Sequence, residues 1–262
     1  MQKVKPKKHL GQHFLIDQQI ARNIVDLLAL PQDTSEVLEI GPGMGVLTQY
    51  LIQDKRFRLS VIDIDTESIA YLKLNFSFLN PQQIIAADFL KIDLGGIFPG
   101  YISIIGNFPY NISSQIFFRV LEHRKQVTEV VCMLQKEVAE RIASPPGSKA
   151  YGILSVLLQA FYTIEYKFSV PPHVFDPPPK VTSGVIRLAR NNTVALDCDE
   201  KKFFEVVKLS FGTRRKTLRN CLRPYNLPEE ITVQAIFNQR AEQLSVNDFV
   251  ELTKLVQAHS PK

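Results

Sequence analysis

Apolar positions along the chain fall into two rhythms. In residues 18–30 they recur as Ile20, Ile24, Leu27 and Leu28, the spacing of one helix face. Pro31 closes that helix. Residues 36–40 (Glu-Val-Leu-Glu-Ile) form instead a short apolar run, the mark of a buried strand. The glycine-rich turn Gly41-Pro42-Gly43-Met44-Gly45 follows, then a helix over 46–53. The alternation continues with strand 59–64, helix 67–78, strands 83–87 and 101–105, helix 114–122 and strand 129–134. Strands alternating with helices at this interval predict an α/β fold with a parallel, doubly wound sheet.

The later pattern predicts a helix at 136–143, a Pro-Pro-Gly-Ser loop at 145–148 and an apolar helix near 152–161. Strands follow at 166–170 and 181–188, separated by a stretch too rich in proline for regular structure. From Glu200 onward the spacing is helical only, so the change at Arg190-Asn191-Asn192 sets a boundary between domains 1–190 and 191–262. The second is expected to be small and all-helical.

Composition narrows the classes. With 45% hydrophobic and 22% charged residues, the 262-residue chain is that of a folded protein and not of a disordered one. Cys132, Cys198 and Cys221 are odd in number and far apart, which argues against a disulfide framework or a cysteine zinc site. The histidines lack HExxH spacing, so no metal is expected. No run reaches the ~18 apolar residues of a membrane span, and the lysine-rich N-terminus lacks the apolar core of a secretory signal. A cytoplasmic protein is expected. The net charge is only +5, yet its distribution is uneven. Lys3, Lys5, Lys7 and Lys8 form one acid-free cluster. Lys208, Arg214, Arg215, Lys216, Arg219 and Arg223 form another, and together they point to a polyanion partner.

Chemistry is expected at the carboxyl ends of the strands. Those ends read Glu39-Ile40-Gly41, Asp63, Asp88 and Asn107. The turn Gly41-x-Gly43-x-Gly45 lets a ligand approach the backbone, and its spacing differs from the GxGxxG of dinucleotide binding. Asp63, 22 residues after Gly41, suits a ribose diol. The turn alone leaves NAD and S-adenosylmethionine both open. Asp88-Phe89 offers an acceptor and an aromatic neighbour to an adenine ring. The discriminating motif is Asn107-Phe108-Pro109-Tyr110. An exocyclic adenine amine is a poor nucleophile because its lone pair is delocalised into the ring. The Asn107 side-chain oxygen and the Phe108 carbonyl can accept both its N–H bonds and free that lone pair. Pro109 stiffens the loop, and Tyr110 supplies a face for an extruded base.

These motifs, with Lys8-His9-Leu10-Gly11-Gln12-His13-Phe14-Leu15, Phe175-x-Pro177-x-Pro179-Lys180-Val181-x-Ser183 and Arg214-Arg215-Lys216-Thr217-Leu218-Arg219-Asn220, resemble the ribosomal RNA adenine N6-dimethyltransferases. Within them, the resemblance is to the bacterial branch acting on small-subunit (16S) RNA. It implies a Rossmann-like class I methyltransferase sheet and S-adenosylmethionine as cofactor. By the same resemblance His13, Leu15, Gly41, Asp63, Asp88 and Asn107 contact the cofactor, Asn107 faces the reacting centre and Tyr110 stacks the target base. The implied product is N6,N6-dimethyladenosine at two adjacent adenosines in a hairpin loop near the RNA 3′ end. The implied partner is ribosomal RNA within a pre-ribosomal small subunit, with a checkpoint role in assembly, and a monomeric enzyme is expected. Three positions depart from the family pattern: His13 stands for the usual Asn, Phe108 for Leu and Asp63 for Glu.

Rival readings are a large-subunit RNA methyltransferase of the antibiotic-resistance branch, a DNA adenine methyltransferase and a non-catalytic RNA-binding assembly or transcription factor on the same fold. An NAD oxidoreductase is disfavoured by the glycine spacing. The basic stretch 214–220 favours the small-subunit branch, and the intact Asn107 to Tyr110 motif favours an enzyme.

Overall fold

The computed structural model describes residues 4–31, 34–213 and 215–259. Seven strands form one sheet: β1 (Glu36–Ile40), β2 (Arg58–Asp63), β3 (Ile84–Ala86), β4 (Ile102–Asn107), β5 (Val127–Gln135), β6 (Tyr162–Val170) and β7 (Ser183–Arg190). Their spatial order is β3-β2-β1-β4-β5-β7-β6. Strands β1 to β5 pair in parallel, and β7 lies antiparallel to β5. The expected α/β architecture therefore holds. Eight of the nine residues of β5 are buried, as a strand covered by helices on both faces must be.

The helices beside this sheet are α1 (Gln18–Val25), α2 (Thr48–Leu51), α3 (Thr66–Asn75), α4 (Leu94–Ile97) and α5 (Ser113–Glu122). Asp17 caps α1 by accepting from the Ile20 N–H at 2.9 Å. Ile24 of α1, Leu51 of α2 and Leu72 of α3 share a core with Val37, Val61, Ile105 and Val131 of the sheet. The helix expected over 18–30 stops earlier, at Val25. Beyond it, the Ala29 and Leu30 N–H groups turn to the buried Glu129 carboxylate, at 3.2 and 3.0 Å, and Leu30 adopts a φ of 54°. Arg187 donates to the same carboxylate at 2.7 Å, so this buried charge is paired.

The chain winds outward from β1 through β2 to β3, then returns to pair β4 on the other side of β1. At that reversal, beyond the carboxyl ends of β1 and β4, lies a crevice.

Two compact units are resolved by their internal packing. One comprises Met1–Ala139 with Thr163–Arg190, the other Glu140–Tyr162 with Asn191–Lys262. The break at 190/191 coincides with the change of pattern in the sequence. The segment 140–162, expected within the first domain, packs instead with the later helices. Its α7 (Ile153–Gln159), which follows α6 (Lys136–Ala143), rests on α8 (Glu200–Phe211) and α11 (Val246–His259); α9 (Leu218–Cys221) and α10 (Glu229–Thr232) lie between those two in the chain. Tyr151 meets Phe211 ring to ring at 6.3 Å, and the Gly147 N–H donates to the Glu242 carbonyl at 2.7 Å. Among the described residues no helix is long and apolar enough to cross a membrane.

Candidate active site

The turn after β1 depends on glycine for two reasons. Gly41, Gly43 and Gly45 have φ of 67°, 55° and 78°, the left-handed region that L side chains avoid. At Gly43 a Cβ would also come within 2.7 Å of the Phe14 ring. Gly41 differs: a Cβ there would meet nothing closer than the Asn107 carbonyl at 3.8 Å. That space belongs to a cavity walled by the strand ends and by residues 10–14.

Asp63 closes β2 with its carboxylate almost buried, at 8% exposure. Burial pushes its pKa above the ordinary range, and the N–H groups of Asp65 (2.9 Å) and Gly43 (3.4 Å) oppose that rise. Asp88, half-buried, accepts from the Leu90 N–H at 3.0 Å and lies 3.6 Å from Lys91 Nζ. Its expected aromatic partner is not available, because Phe89 turns into the core at 4% exposure. The apolar side chains beside Asp88 in the cavity are Ile64 and Leu90. A carboxylate pair at the tips of adjacent strands, an apolar wall between them and an open floor at Gly41 fit an adenosyl group. S-adenosylmethionine would be held by Asp63, Asp88 and the glycine turn.

Asn107 ends β4. Its side-chain nitrogen donates to the His13 carbonyl at 2.8 Å, which leaves the oxygen as the acceptor end. The Phe108 ring is buried, 5.9 Å from Phe117 and edge-on to it, while its N–H donates to the Met133 carbonyl at 2.9 Å. The Phe108 ring thus fixes the motif in the core. Pro109 lines the cavity and its carbonyl accepts from Ile112 at 3.2 Å. The Tyr110 hydroxyl shares a 2.5 Å hydrogen bond with Ser183, and burial pushes its pKa up.

His13 lies in the same cavity, its ring 5.5 Å from that of Tyr110. Nδ1 sits 2.8 Å from the Pro177 carbonyl, which can only accept, so Nδ1 carries the proton. Leu15 is placed differently. Its side chain is 3% exposed in the core and borders a smaller adjoining cavity with Glu39 and Gly41.

Several residues of the site have partners that the sequence pattern does not show. Glu39 is fully buried, accepts from Thr48 Oγ1 at 2.6 Å, and burial pushes it up to about 8. Lys7, expected to serve the basic N-terminal cluster, is committed internally: Asp65 and Glu67 hold its ammonium above its usual range. Asn111 and Ser183 reach the site from either side of the motif. In the other unit Lys208, Arg215, Lys216, Arg219 and Arg223 are all exposed, and Arg219 touches Asn238 at 3.3 Å. Arg214 lies outside the described residues, as does Lys3.

Sheet order and crevice define a class I methyltransferase fold. Two solved structures share it at low identity. A dimethyladenosine transferase from Plasmodium falciparum is 24% identical with a TM-score of 0.77, covering 95% of this chain and all (100%) of that one. The 23S rRNA methyltransferase ErmE is also 24% identical, with a TM-score of 0.70 over 93% and 99% of the two chains. The sequence profile of the ribosomal RNA adenine dimethylase family matches residues 3–258, and the chain belongs to that family. Among its relatives, the ribosomal RNA small subunit methyltransferase A of Cytophaga hutchinsonii is 60% identical over 98% of this chain and 99% of its own. The protein of the same name from Flavobacterium johnsoniae is 56% identical over 98% of each.

Proposed function

We propose that the protein is an S-adenosylmethionine-dependent enzyme that dimethylates N6 of two adjacent adenosines in the 3′-terminal hairpin loop of small-subunit ribosomal RNA. The observation that carries this reading is the committed amide of Asn107. A target amine brings N–H donors and needs acceptors. With its nitrogen given to the His13 carbonyl, Asn107 meets that amine with oxygen. Family membership and the small-subunit names of relatives 56–60% identical support the choice of RNA.

When bound, S-adenosylmethionine supplies a methyl group on a positively charged sulfur, a good leaving group. The chain supplies placement. Asn107 Oδ1 and the Phe108 carbonyl accept the amine N–H bonds and draw the nitrogen toward a tetrahedral form. Tyr110, anchored by Ser183, offers its ring to the extruded base. Asp63 and Asp88 would hold the ribose and adenine of the cofactor, with Gly41 toward its methionine end. Loop adenosines are unstacked at less cost than duplex ones. The exposed basic side chains from Lys208 to Arg223 contact phosphates within a pre-ribosomal small subunit. The enzyme works as a monomer in the cytoplasm and marks a step of small-subunit assembly.

The test is methyl incorporation from labelled S-adenosylmethionine into unmethylated small subunits, with large subunits and naked RNAs in parallel. Dimethyladenosine confined to small-subunit RNA is expected. Label in large-subunit RNA would move the protein to the resistance branch. No label with cofactor binding intact would make it a binding factor on the same fold.

A further inference from the structure

Residues 7–16 run as a strap along one wall of the cavity, and the strap is fixed at its two ends by different means. At one end Phe14–Leu15 pairs antiparallel with Phe175–Asp176, and the Ile16 N–H donates to the Val174 carbonyl at 2.9 Å. At the other end the attachment is made by side chains that converge on Asp65, the cap of α3. Its carboxylate has no exposed side-chain surface. It accepts from Lys7 Nζ, from Gln12 Nε2 at 3.0 Å, and from Ser68 Oγ and the Glu67 N–H at 3.1 Å each. Lys7 Nζ also lies 3.2 Å from Glu67. The Lys7 N–H donates to Gln12 Oε1 at 2.8 Å, which closes residues 7–12 into a loop. Between the two ends sits the His13 carbonyl that takes the Asn107 amide.

We propose that Lys7, Gln12 and Asp65 form a clasp that shuts the strap over the cavity and, through the His13 carbonyl, keeps the Asn107 oxygen turned toward the target amine. They are positioning residues for the reaction proposed above, on which this inference rests. An amide side chain has two orientations of nearly equal shape, separated only by the partners of its nitrogen and oxygen. Once the His13 carbonyl moves away, the Asn107 nitrogen is released. The amide can then turn N–H groups toward an amine that is itself a donor. The ribbon end is held by backbone bonds beside the buried Leu15 and Phe175. The clasp end is held by side chains, Lys7 and Gln12 on Asp65, and the Lys7 side chain is 26% exposed, so it is the end that opens. A ligand under the strap leaves by the same opening. One clasp therefore sets both the exchange of cofactor and the competence of Asn107.

The test compares the full-length protein with Lys7→Met and Lys7→Arg by three measurements. These are hydrogen exchange of amides 9–13 without cofactor, dissociation of S-adenosylhomocysteine, and kcat with the KM for unmethylated small subunits. In Lys7→Met, amide exchange and dissociation should each accelerate about tenfold, the factor that ~1.4 kcal/mol represents. Its kcat should fall with KM for the subunit unchanged, and Lys7→Arg should restore all three. Unaltered amide exchange in Lys7→Met would overturn the clasp. Faster exchange with wild-type kcat would overturn its link to Asn107. Loosened amides in Lys7→Met, with no methylation by any of the three proteins, would uphold the clasp and sink the proposed reaction instead.

Discussion

An asparagine is a donor at one end and an acceptor at the other, and its neighbours decide which end a substrate meets. At Asn107 that neighbour is a carbonyl 94 residues away in the chain. Asn107→Ala should leave cofactor affinity within about threefold and lower methyl transfer by about 100-fold or more, as loss of a preorganised acceptor does. Equilibrium binding and single-turnover methylation on the same preparation would check this. The motif around Asn107 was legible because its four residues are contiguous and each has a chemical reason to be there. Its anchor was not, since nothing local marks the His13 backbone as a partner. Glu39 shows the same limit, because its acidity depends on how deeply a strand end is buried. Its folded pKa near 8 lies above its ordinary 4.5, so the unfolded chain sheds the proton first. Stability should then fall from about pH 4.5 to pH 8 by roughly 1–3 kcal/mol on this account. Glu39→Gln keeps an acceptor for Thr48 and removes that slope. Urea unfolding at pH 5.5 and pH 8 should show the variant gaining on the wild type at the higher pH.

Elements are specified by pattern in their middles and by distant partners at their ends. The apolar runs at 36–40, 59–64 and 101–105 gave the parallel strands, because a strand covered on both faces needs little else. In β5 the fully buried Glu129 is answered by Ala29, Leu30 and Arg187, none of them adjacent in sequence. The ribbon between Phe14–Leu15 and Phe175–Asp176 is only two residues long on each strand, too short for any periodicity to register. Close approach of elements is equally hidden. Gly106 in β4 lies against β1, and a Cβ there would run into the Ile40 carbonyl. Because the obstacle is backbone in a paired strand, Gly106→Ala should cost about 3 kcal/mol or more, as strained core insertions do. A drop in Tm with loss of soluble yield would register it, and a wild-type melting curve would show that β1 and β4 separate freely.

For the molecule as a whole, charge and chain path matter more than any single interaction. The net charge of +5 is unremarkable, but five exposed basic residues between Lys208 and Arg223 lie in the second unit. If they meet phosphates, Arg215→Ala, Lys216→Ala and Arg219→Ala combined should weaken RNA binding and flatten its salt dependence. The log–log slope should fall by about 0.7–0.9 for each phosphate that the variant no longer neutralises. Filter binding across a salt series would measure it, and an unchanged slope would remove this cluster from the interface. The second unit's later segment begins at Asn191, where strands give way to helices. The pattern of apolar residues does not show that 140–162 packs there too, because an apolar helix carries no label for the core it joins. The chain therefore enters the second unit, goes back to lay down β6 and β7, and enters it again. Such a path forbids modular inheritance. A gene cut at 190 would strand Tyr151 without Phe211 and α7 without α8 and α11, and one begun at 191 would lack α7, so neither half can be traded between proteins as a cassette.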